Sequence, residues 1–152
     1  MRIDDETKTN FQSPQVKAIV NIRHTANTLA NFQNNFMAEY DLSMPQFNIL
    51  RILRGAKKEI NVNTVKDRMI EKSPNTTRLM DKLVEKELIE RSRCEDDRRV
   101  VLVKISSKGL DLLKVIDVKF SDSSFSPKVL TDDEANLLSD LLDKLRSEYL
   151  GK

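Results

Sequence analysis

One histidine and one cysteine leave this 152-residue chain little with which to run covalent or metal chemistry. His24 falls on a predicted long helix, off its apolar stripe. As a general base it would need a nucleophile or a partner carboxylate at hand, and the pattern predicts none nearby. A half-exposed or interface histidine is therefore expected. Cys94, alone, forms neither an internal disulfide nor a multi-cysteine zinc site. One imidazole, one thiol and scattered carboxylates make no closed set of metal ligands. There is no glycine-rich phosphate loop. No catalytic residue, metal ligand or cofactor is assigned, and enzyme activity is not expected.

The side chains that stand out do hydrogen-bonding chemistry instead. Ser73 is a good helix N-cap, and Pro74 suits the first helical position after it. Thr76, Leu79, Met80 and Leu83 then share one face, at i, i+3, i+4 and i+7. Asn75, Thr77, Arg78, Lys82 and Glu85 occupy the other. A helix docked by one apolar stripe, with amide, hydroxyl and guanidinium groups outward from its first turn, suits a DNA major groove. Arginine offers guanine a planar, bidentate donor, whereas Ser73, Thr77 and Lys82 are better suited to anchoring phosphates. Two strand-like runs follow, 88–94 and 100–105, joined by the charged turn Glu95, Asp96, Asp97, Arg98, Arg99. Taken alone, Arg98 and Arg99 read as a solvated turn pairing with Asp96 and Asp97. With the preceding helix and both strands in place, DNA becomes the better partner.

These residues need elements to hold them. Residues 1–12 are polar and are expected to form a flexible tail. Ser13 and Pro14 open a helix of roughly 25 residues, against a usual mean of about 11–12, with Ile19, Ile22, Ala26, Leu29, Phe36 and Tyr40 recurring on it. Ser43 caps a second helix, with Pro45 in its first turn and Gly55 at its end. Phe47, Ile49, Leu50, Ile52 and Leu53 surround most of it, so it should be central and buried. Ile60 can add a short strand. Asn61 caps a third helix that turns Val62, Val65, Met69 and Ile70 inward, and the short linker Glu71–Lys72 makes a tight helix-turn-helix with the helix at Ser73. After the hairpin, Ser106 caps a helix carrying Leu110, Leu113, Ile116 and Phe120. A loop spans 121–128. Thr131 and Glu134 then form a capping box for a last helix, with Leu138, Leu141, Leu142, Leu145 and Tyr149 on one stripe. The fold class is mainly α with a small β-hairpin: a winged helix-turn-helix flanked by terminal helices. Those helices carry apolar stripes with little to cover them, and pairing in a twofold dimer is the economical solution.

Charge is distributed in keeping with this. The formal net charge is only +2. Residues 72–108 nevertheless hold ten Lys/Arg against seven Asp/Glu, a net of +3, while 130–152 hold three against six, a net of −3. A basic middle beside an acidic end fits a DNA face set apart from a second region. No apolar run of about 18 residues suggests a transmembrane helix, and the N-terminus lacks a signal-peptide core. A cytoplasmic protein without membrane partners is expected.

Three segments resemble the MarR family of transcriptional regulators. Residues 42–50, Leu-Ser-Met-Pro-Gln-Phe-Asn-Ile-Leu, resemble the start of the helix that follows the family's N-terminal helix. Residues 75–83, Asn-Thr-Thr-Arg-Leu-Met-Asp-Lys-Leu, with 88–91, Leu-Ile-Glu-Arg, resemble its recognition helix and first wing strand. Residues 96–103, Asp-Asp-Arg-Arg-Val-Val-Leu-Val, with 106–109, resemble its wing and next helix. The likeness runs well from about residue 14 to 120. It implies a homodimer, with residues 13–41 and 107–152 supplying dimerisation helices and 42–106 the winged DNA-binding region, on a palindromic operator of double-stranded DNA. It also implies Asn75, Thr77 and Arg78 as first-turn contacts, Arg98 as the minor-groove wing arginine beside Arg99, and Asp96 as the carboxylate that braces the wing. Family members often respond to small anionic aromatic effectors, and one is implied here. The rivals are a winged-helix module that binds protein rather than DNA, and a small enzyme, which lacks the residues for the work.

Overall fold

The computed structural model describes residues 2–70, 74–95, 97–122 and 129–151. It is mostly helical with one three-stranded antiparallel sheet. The elements run α1 (Ile3–Thr7), α2 (Pro14–Ala38), α3 (Met44–Ala56), β1 (Ile60–Asn61), α4 (Val62–Arg68), α5 (Thr76–Glu85), β2 (Ile89–Arg93), β3 (Val101–Ile105), α6 (Ser107–Asp122) and α7 (Asp132–Leu150). The chain divides into two compact units, 1–114 and 115–152, and the division falls inside α6.

Side-chain caps start most of the helices where the sequence predicts. Ser13 Oγ accepts the N–H of Val16, and Ser43 forms a full capping box with Gln46. Asn61 Oδ1 accepts the N–H of Asn63 at 2.8 Å, and Ser106 Oγ accepts that of Gly109 at 3.0 Å. Each satisfies a donor that has no partner within the helix.

In the first unit, α3 is the central element, packed by α2, α4, α5 and β3. Its Phe47, Ile49, Leu50 and Leu53 are buried, together with Val65 of α4, Met80 and Leu83 of α5, and Val103 of β3. Each such side chain contributes roughly 1.5–3 kcal/mol of burial. The sheet order is β1-β3-β2, with Val103 opposite both Ile60 and Arg91. Ser106, after β3, ties the hairpin to α5: its Oγ donates to the carbonyl of Glu87 at 2.7 Å, and its N–H donates to that of Leu88 at 3.1 Å.

Several expectations need correcting. In place of a featureless tail, the first residues form α1, whose Ile3 is buried. Gly55 does not end α3; Lys57 does, in the left-handed conformation at φ 55°. Ile70 does not point inward but is 90 % exposed, because α4 stops at Arg68 and Met69 is the last buried position. The recognition-type helix starts at Thr76, not at Ser73–Pro74. Asn75 sits at φ −89°, ψ 8°, outside helical geometry, and its carbonyl accepts the N–H of Leu79. Helix α6 runs to Asp122, into the expected loop, while 123–128 lie outside the described residues. Leu113 and Ile116 of its stripe are buried, and the side chain of Phe120 lies outside the described residues.

In the second unit, α7 begins with the expected capping box of Thr131 and Glu134 and buries none of its residues. Leu138, Leu141 and Tyr149 of its stripe are exposed, and Leu142 and Leu145 are half-buried.

Candidate nucleic-acid interface

The interface is built on α5. Thr76 is 1 % exposed and its hydroxyl donates to Met69 Sδ at 3.6 Å, which ties the first turn of α5 to the end of α4. Met80 and Leu83 anchor the next two turns, and Leu79 is half-buried. With that face committed to the core, helical periodicity leaves Asn75, Thr77, Arg78, Lys82 and Glu85 exposed. The helix ends with Glu87 at φ 60°: its N–H donates to Val84 and that of Leu88 to Leu83, which turns the chain directly into β2.

The wing is held by its backbone. The N–H of Cys94 donates to the carbonyl of Val100 at 3.0 Å, and that of Val100 to the carbonyl of Asp97 at 2.9 Å. The Asp97 carboxylate accepts the backbone N–H of Arg99 at 2.9 Å. It thus shapes the turn through the backbone, and the side chains of Arg98 and Arg99 are exposed. Ser73 and Asp96 lie outside the described residues, as does the linker Glu71–Lys72.

The predicted contacts do not all meet. Thr77 and Arg99 line one groove of about 290 Å³, together with Asn61, Asn63, Arg91 and Val100. Lys82 lines a different cleft with Asp41, Gln46 and Lys86, where Lys86 Nζ pairs with Asp41 at 2.8 Å. Sequence reading missed Asn63 and Arg91. Strand alternation was the available signal for Arg91: it shares a face with buried Ile89, so it points toward α5 and pairs with Asp81 at 2.8 Å. On the opposite face, Lys104 pairs with Glu90 at 3.0 Å.

The two residues considered for chemistry resolve simply. His24 does have a carboxylate at hand, contrary to expectation: Glu6 lies 2.6 Å from Nε2, brought there by α1. With the ion pair of Lys17 and Asp4, this contact fastens α1 along α2. Cys94 is a half-buried free thiol. Among the described residues no group of His, Cys, Asp and Glu could hold a metal ion, and no helix is long and apolar enough to cross a membrane.

Helices α4 and α5, with a polar face on α5 beside an arginine-tipped hairpin, define a protein of the winged-helix class. Residues 31–116 match the family model described as "Transcriptional regulator SarA/Rot". The HTH-type transcriptional regulator YpoP of Bacillus subtilis is 32 % identical over 114 residues, covering 73 % of this chain and 79 % of that protein. A mutant MarR from E. coli, solved in complex with operator DNA, superposes with a TM-score of 0.69 at 25 % identity, over 90 % of this chain and 99 % of that one. A putative MarR-like regulator from Bacillus cereus shares the fold with a TM-score of 0.77 at 23 % identity, over 88 % and 96 % of the two chains. The chain belongs to the MarR family of winged helix-turn-helix transcriptional regulators.

Proposed function

We propose that the protein is a sequence-specific repressor that binds a palindromic operator as a homodimer. In this reading, residues 42–106 are the DNA-binding region, with α5 in the major groove and the wing in the flanking minor groove. Arg78 and Asn75 read base edges, and Ser73, Thr77 and Lys82 hold phosphates. Arg98 enters the narrow minor groove, where enhanced negative potential attracts a guanidinium, with Arg99 beside it, and Asp96 braces the wing. The terminal regions, 13–41 and 107–152, pair the two copies. The observation that carries the reading is the exposed first turn of α5, whose Thr77 opens onto the same groove as the wing's Arg99. The likeness to a MarR that binds operator DNA supports it. A small anionic aromatic effector would act by favouring a different spacing of the two α5 helices, and only by as much as its affinity differs between the two states.

The test is Arg98→Ala. Operator affinity should fall while the particle keeps its size by sedimentation. Unchanged affinity would remove the wing from the interface. In the parent protein, affinity should drop steeply with salt as phosphate contacts release counterions. A protein-docking module would respond little, since apolar burial is weakly salt-dependent.

A further inference from the structure

We propose that the groove between α5 and the wing is a seat for one DNA phosphate, with Arg91 and Asn63 as anchors in addition to the recognition helix and wing tip. This rests on the DNA-binding reading above. The groove holds about 290 Å³ and is lined by Asn61, Asn63, Thr77, Arg91, Arg99 and Val100, among others. Its polar lining consists of two guanidinium groups, two carboxamides and one hydroxyl, with no carboxylate among them. That set donates hydrogen bonds and its charged members are both guanidinium groups, which suits the oxygen pair of a phosphodiester and disfavours a cation.

Arg91 is pre-set for this. Its side chain is 33 % exposed, and Nη1 is held 2.8 Å from Asp81 Oδ1. One ion pair uses a fraction of the five guanidinium donors, so the remaining edge stays available to the groove. Holding the planar fork in place beforehand reduces the entropy lost when it meets phosphate. Asp81 belongs to α5, so the same pair couples the seat to the recognition helix. Asn63 stands across the groove on α4. Its backbone N–H is taken by Asn61, which leaves its own carboxamide outside the cap. A phosphate held here would fix the duplex against α4, α5 and the wing together, a register contact that carries no sequence information.

The experiment measures binding of labelled mixed-sequence duplexes across a salt series for the full chain, Asn63→Ala and Arg91→Ala. Arg91→Ala should lower the slope of log K against log salt by about 0.9 per bound protomer; Asn63→Ala, which removes no charge, should keep the parent slope, and both should lose affinity equally on duplexes of different sequence. If Arg91 were only a brace for Asp81, Arg91→Ala would lower the melting temperature and leave the slope unchanged. The Asn63 side chain takes no part in the α4 cap, so Asn63→Ala keeps the test valid should Arg91→Ala unfold. A parent slope in Arg91→Ala together with parent affinity in Asn63→Ala overturns the seat while the DNA reading stands. Absence of salt-dependent duplex binding by the parent protein overturns both.

Discussion

At the scale of single residues, reading a base and holding a phosphate fall to different side chains. Arg78 is exposed on the first turn of α5 and is assigned to a base edge, while Lys82 lines a cleft away from the groove that contains Thr77 and Arg99. Arg78→Ala should cost about 1–3 kcal/mol on the preferred duplex and much less on a scrambled one. Competition binding with both duplexes measures this, and equal losses would make Arg78 a phosphate contact. The residue types at this face were legible in the sequence, because one apolar stripe fixes which side of a helix is left over. The partners of Arg91 and His24 were not. Asp81 and Glu6 reach them across separate elements, and no local pattern encodes such a meeting.

At the scale of elements, helix starts were more legible than helix ends. Ser13, Ser43, Asn61, Ser106 and Thr131 cap through their own side chains, and that chemistry is visible in residue type. The start of α5 was misplaced because Ser73, Pro74 and Asn75 all suit a helix entrance, and only the burial of Thr76 decides among them. The ends of α3 and α5 depend on a left-handed residue, Lys57 and Glu87 respectively, rather than the glycine that usually signals it.

Gly109 matters for another reason. A Cβ there would lie 2.3 Å from the carbonyl oxygen of Leu88 and 2.8 Å from Ile105 Cγ1. Gly109→Ala should therefore force the β3–α6 junction apart and destabilise by about 1–3 kcal/mol. Gly55→Ala, with nothing within 4 Å, should stabilise α3 by about 0.4–1 kcal/mol. Thermal melts of the two variants should move in opposite directions, and a shared direction would refute this account of the junction.

The cap of α7 should respond to pH. Hydrogen bonds from the backbone N–H and then the hydroxyl of Thr131 hold the Glu134 carboxyl below its ordinary range. Because the folded state depresses this group, its contribution is present above the unfolded carboxylate range and is lost as pH falls through the lowered value. Glu134→Gln should melt α7 more readily at neutral pH, and the difference from the parent should close in acid. A gap that persists below the carboxylate range would mean that charge plays no part in the cap.

At the scale of the whole molecule, the apolar stripes of the long helices support the proposed dimer. The 25-residue α2 buries Met37 alone, with Leu29 and Phe32 exposed, and α7 exposes Leu137, Leu138, Leu141, Tyr149 and Leu150. That much apolar surface on two long helices is costly in water and fits an isologous interface between copies. The sequence made the stripes legible, and the structure adds that α2 buries Met37 alone and α7 none of its residues. Two copies related by a twofold axis would present two α5 helices and so demand two half-sites. Selection of bound sites from random duplex DNA by the full chain tests this most directly. Enrichment of an inverted repeat with half-sites one helical turn apart, ~34 Å, is expected. Recovery of a single unrepeated motif, or of no enriched sequence at all, would contradict it.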